Sequence, residues 1–178
     1  MVGIGGKTYS KAEIESLLQA MDRQTKRAAK KAEGAIERIT KSSFEPYYEY
    51  RESLTEIEGV LVLIEDRMAH ADAKARAQLA EYHSSLVAGL LRMKIDVILR
   101  VFPALEIAAT LPIGAQKVFL ATLWELKETV TRIDRQDMSH LLNEDARKRL
   151  LVAETILGDV AQRAPALLEL AEKHANKT

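Results

Sequence analysis

From Ser10 onward, apolar side chains recur every three or four residues, the interval that winds one greasy face around a helix. Ser10 followed by Glu13 forms a capping box, so the first helix is predicted to start there. Its stripe is Ile14, Leu18, Met21, Thr25, Ala28, Ala32, Ala35 and Ile39, with small residues in the middle where a partner helix can come close. Residues 41–46 read as a break, with Ser43 as the expected cap of the next helix and Pro46 inside its first turn, where a missing amide costs little. The second stripe alternates three and four without a slip: Tyr47, Tyr50, Leu54, Ile57, Leu61, Ile64, Met68 and Ala71. That spacing predicts a coiled-coil-like seam.

The register then dissolves and a third stripe takes over at Leu79, Tyr82, Leu86, Leu90, Met93, Val97 and Val101. The phase change predicts a turn between residues 70 and 74, with Asp72 as cap. The competing reading is one helix over residues 46–102, spanning about 85 Å. Val87, Leu91, Ile95, Ile98, Leu99 and Phe102 make the third helix apolar nearly all round, and leave a polar row at Arg92, Asp96 and Arg100. A helix of that kind is central to its domain or lies in an oligomer interface. Pro103 is expected to kink or end it, and Leu111-Pro112 to mark a turn over residues 110–114. A fourth helix carries Phe119, Leu123, Leu126, Val130 and Ile133. Asn143 caps a fifth, which carries Ala146, Leu150, Ala153, Leu157, Val160, Ala164, Leu167 and Ala171 and is bent at Pro165. The expected fold is therefore all-α: four to five long amphipathic helices in a bundle with coiled-coil-like packing. It forms one domain over residues 10–178 behind a flexible tail at residues 1–9.

Composition narrows the chemistry. Without cysteine, disulfides, thiolate nucleophiles and cysteine-bound metals are excluded, and a reducing, cytoplasmic setting is expected. The opening residues lack the apolar core of a secretory leader, and the charges within residues 86–124 argue against a spanning segment. Net charge is +0, so no general attraction to nucleic acid or anionic lipid follows. The distribution is uneven, however: residues 1–43 hold nine Lys/Arg against five Asp/Glu, and residues 44–72 hold two against eight.

Few residues suggest a site. Arg23, Lys26, Arg27, Lys30 and Lys31 gather on the polar face of the first helix and suit phosphates or an acidic partner. The blander reading pairs them with Glu45, Glu49, Glu52, Glu56 and Glu58 of the second helix. Phe44, Tyr47, Tyr48 and Tyr50 cluster at one helix start, where rings anchor a partner or plug the core. For metal there is no Glu-x-x-His, only Asp137 with His140 and Asp66 with His70. Gly3 to Lys7 lacks the context of a phosphate loop, and no nucleophile elbow exists.

The pattern points to a non-catalytic helical protein–protein interaction module, an adaptor, chaperone-like or scaffold subunit, with no cofactor. A protein partner is expected, as is self-association as a homodimer or larger oligomer. The expected interface is the seam Tyr47, Tyr50, Leu54, Ile57, Leu61 and Ile64. One alternative is nucleic-acid binding through the basic face of the first helix, and another is a carboxylate–histidine metal-binding bundle.

Overall fold

The computed structural model describes residues 9–107, 113–135 and 138–175. Among them the chain is all-α, with no strand beyond an isolated bridge between Tyr9 and Ala71. The helices are α1 (Lys11–Ile39), α2 (Glu45–Ala69), α3 (Ala73–Ile107), α4 (Ile113–Arg135), α5 (Glu144–Arg163) and α6 (Pro165–Ala175), with a 3-10 turn at Met138–Leu141.

Helix α1 begins at the capping box: the Glu13 amide donates to the Ser10 hydroxyl, and the Ser10 amide donates to the Glu13 carboxylate at 2.8 Å. Its stripe is buried as the spacing predicts, except for the half-buried Thr25. The turn into α2 places Ser42 in the left-handed region at φ 58°. Phe44, not Ser43, is the N-cap there, without a side-chain hydrogen bond, and Pro46 sits in the first turn. The Tyr9–Ala71 bridge and the bond from Lys31 Nζ to Ser53 Oγ at 2.9 Å set α1 and α2 antiparallel.

Two helices, not one, occupy residues 46–102. The Ala75 amide donates to Asp72 Oδ1 at 2.8 Å, which caps α3. Arg76 then pins the turn by donating to the carbonyls of Ala69 and Ala71. Helix α3 packs on α1, α4 and α5. That central position explains its apolar girth: Val87, Leu90, Leu91, Ile95, Val97, Ile98 and Val101 are all buried within the chain. Helix α3 also runs through Pro103 to Ile107 rather than ending there, with the proline ring on the exposed side. The turn expected over residues 110–114 falls largely outside the described residues.

The expected fifth helix is two. Helix α5 is capped by Asn143, whose side chain accepts from the Ala146 amide at 2.9 Å. It stops at Arg163, Ala164 leaves helical geometry (φ −148°, ψ 57°), and α6 starts at Pro165. The physical reason is local. A residue before proline is crowded out of the α region, while proline itself is well suited to a first helical position. Helix α6 then packs on α4 and α5.

Candidate functional site

The most concentrated chemistry lies where α2, α3 and α4 meet, around a lysine that the stripes do not single out. Lys94 is 5% exposed. Its Nζ lies 2.5 Å from Glu58 Oε1 and 2.6 Å from Glu125 Oε1. Arg51 approaches the other Glu125 oxygen at 4.0 Å, and Arg132 bonds Glu65 at 3.3 Å farther along the same cleft. Lys94, Glu58, Glu125, Arg51 and Arg132 line a cavity of about 370 Å³ with Trp124 and Glu128.

A lysine that acts as a general base or nucleophile must shed its proton near neutrality. Burial pulls Lys94 in that direction, but the Glu125 and Glu58 carboxylates outweigh it and hold the ammonium above the ordinary lysine range. Nearby, Tyr47 is buried and its hydroxyl lies 2.6 Å from Thr122 Oγ1. Thr122 spends its own proton on the Val118 carbonyl, so Tyr47 is the donor. Burial, offset only in part by Thr122, raises the Tyr47 phenol far above its usual range. Burial raises the Tyr50 phenol likewise, and the charge of Glu125 adds to it. The cluster is thus a set of fixed charges and neutral phenols that ties three helices together. The signal for it was a single charge inside the run Met93-Lys94-Ile95 on a helix apolar all round.

The residues singled out from the sequence fall in two places. Tyr47, Tyr50, Leu54, Ile57, Leu61 and Ile64 are at most 3% exposed within a single copy. This seam is closed inside the chain and is not an exposed surface. Arg23, Lys26, Arg27, Lys30 and Lys31 are all exposed on α1. Lys26 pairs with Asp22 at 2.7 Å and Lys31 reaches Ser53, whereas Arg23, Arg27 and Lys30 form no ion pair among the described residues. The expected ionic match with α2 is not formed: Glu45, Glu49, Glu52 and Glu56 face solvent, and Glu58 turns to Lys94. The two ladders point out of the hairpin, and its joint is made by the stripes.

Other openings lie elsewhere on the surface. A cleft of about 530 Å³ separates α1, α3 and α5, lined by Asp22, Thr25, Lys26, Arg92, Asp96 and Arg149 among others. Most of its charges cancel in pairs, with Arg149 bonded to Asp96 and 3.1 Å from Asp145. Between α4 and α6 runs a groove of about 380 Å³ with almost wholly apolar walls: Phe119, Leu120, Leu167 and Leu170, with Gln116 at its edge. Leu170 is 49% exposed there. The spacing of its stripe did not reveal this groove, because it depends on the break at Pro165 that folds α6 back onto α4.

No group of three or more potential metal ligands converges among the described residues. His70 is drawn into the end of α2, with Nδ1 2.8 Å from the Asp66 carbonyl. Asp137 and the segment Gly3 to Lys7 lie outside the described residues. Among the described residues no helix is long and apolar enough to cross a membrane. No protein-family model, no curated protein and no solved structure matches the chain.

Proposed function

We propose that the chain is a non-catalytic protein-interaction module, a helical bundle that presents the α4/α6 groove to an amphipathic helix of a protein partner. The observation that carries this reading is the groove itself, whose walls Phe119, Leu120, Leu167 and Leu170 leave apolar surface open to water. A helix offering apolar residues at i, i+3 or i+4 and i+7 suits such a trough. Each methylene it withdraws from water contributes about 0.8 kcal/mol. The regular α1/α2 seam, read as coiled-coil-like packing, supplies the rigid frame, and the fixed ammonium of Lys94 fits a scaffold rather than a reaction centre. A cytoplasmic setting belongs to the same reading.

Photo-cross-linking from within the groove tests it. A photoreactive side chain at Leu170 or Gln116 is expected to give a discrete protein adduct in the cell. The same group at the exposed Glu154 of α5 is not, and Leu167→Lys abolishes the adduct. Equal labelling from Glu154, or adducts indifferent to Leu167→Lys, contradicts the proposal.

A further inference from the structure

The outer faces of α1 and α2 carry two charge ladders of the same pitch. On α1, Arg23, Arg27 and Lys30 are spaced by four and three residues, and Gly34 follows four later. On α2, Glu45, Glu49, Glu52 and Glu56 repeat the same four, three, four. All eight residues are exposed. None of the seven charged side chains makes an ion pair or a hydrogen bond among the described residues. Like charges one turn apart on a helix repel. Each ladder is therefore a self-repelling row, and the row that would relieve it lies on the neighbouring helix of the same chain, facing outward.

The geometry points to a second copy of this chain as the occupant of both faces: the basic ladder of one copy lies along the acidic ladder of the other. At 1.5 Å per residue the three basic rungs stand about 6 and 4.5 Å apart and the four acidic rungs about 6, 4.5 and 6 Å apart. That sequence of spacings reads the same in either direction, so the rungs match whichever way the helices run. Because each copy offers both ladders, one two-fold rotation makes the contact twice and closes the dimer. Gly34 occupies the fourth position of the α1 row without a charge. A Cβ there would meet nothing within 4 Å inside the chain. Exposed ion pairs are individually weak and screened by salt, so the dimer is salt-labile. This inference uses neither wall of the α4/α6 groove, and its failure leaves the groove reading untouched.

Sedimentation velocity on the full chain tests it, with two triple variants, Arg23→Glu/Arg27→Glu/Lys30→Glu and Glu49→Lys/Glu52→Lys/Glu56→Lys. All six positions are exposed, and circular dichroism checks that helix content is kept. The wild-type chain is expected to dimerise at about 50 mM salt and to weaken at least about tenfold at about 500 mM. Each variant alone is expected to be monomeric. An equimolar mixture of the two is expected to restore the dimer, because reversed ladders then face each other with opposite sign. A monomeric wild-type chain at low salt overturns the inference, as do variants that dimerise unaided or a mixture that stays monomeric. A salt-sensitive mobility shift of a labelled oligonucleotide, lost in the α1 variant of a chain that sediments as a monomer, overturns it in favour of a nucleic-acid partner.

Discussion

Along α1 and α2, nearly every stripe residue is sealed from solvent; along α5 and α6, the same three-and-four spacing leaves half of the stripe only partly covered. In the hairpin, Ile14, Leu18, Met21, Ile57, Leu61 and Ile64 are almost completely buried. In the C-terminal pair, Ala146, Leu150, Ala153 and Ala171 are buried, whereas Leu157, Val160, Ala164 and Leu167 are intermediate. Leu151 and Val152 are more exposed still, at 63% and 50%. The difference lies in the partner rather than in the pattern. The hairpin stripes face each other and α1 also packs along α3, while α6 has three turns and, among the described residues, packs mainly on α4 and α5. Elements with few sealed apolar contacts open first and are where binding surfaces form.

The comparison breaks most visibly under truncation. Ile57→Ala removes a fully buried side chain and is expected to cost about 3–4 kcal/mol in urea denaturation. Leu170→Ala, half exposed on α6, is expected to cost under about 1 kcal/mol. Equal losses would erase the distinction. Next in size is Lys94→Met, which strands the carboxylates of Glu58 and Glu125. A loss of about 3 kcal/mol is expected, with most of it recovered when both glutamates become Gln. The same lysine has a pH signature. Its folded pKa is raised above 10.5, so its contribution is complete below that pH and disappears as pH climbs through the folded value. Thermal melts above pH 10 should fall more steeply in the wild-type chain than in the Met/Gln/Gln variant.

Smaller is Ser10→Ala, which removes the hydroxyl half of the α1 capping box. It is expected to cost about 1 kcal/mol, visible as a lower denaturation midpoint. Smallest is the effect of His83, half-buried on α3. Burial lowers its pKa from 6.5; Glu65 opposes the shift and Arg132 adds to it. The unfolded chain therefore takes up this proton first, and stability falls as pH drops below about 6.5. His83→Gln should flatten that part of the profile, and an unchanged slope would remove His83 from the account.

How much of this was legible follows the same divide. The stripes of α1 and α2 could be read directly, because each is sealed along one face and capped or broken by residues with one physical role, such as Ser10, Pro46 and Asp72. Pro165 was legible as an interruption but not as a helix start, since that depends on whether Ala164 yields its helical geometry. The ion triad of Lys94, Glu58 and Glu125 draws one residue from each of three helices, so no spacing within one helix reveals it; Glu58 read naturally as one more rung of the acidic ladder. The α4/α6 groove was hidden for a related reason: its walls come from helices whose contact is set by the fold-back at residue 164.

Segment-resolved hydrogen exchange tests the central claim, that the chain is a tightly sealed α1–α3 frame carrying a weakly held groove helix. Mid-helix amides of α1, α2 and α3 are expected to exchange only through global unfolding, while those of α6 exchange through a smaller, local opening that leaves the frame intact. Protection in α6 equal to that in α2, rising and falling with it under denaturant, would contradict it.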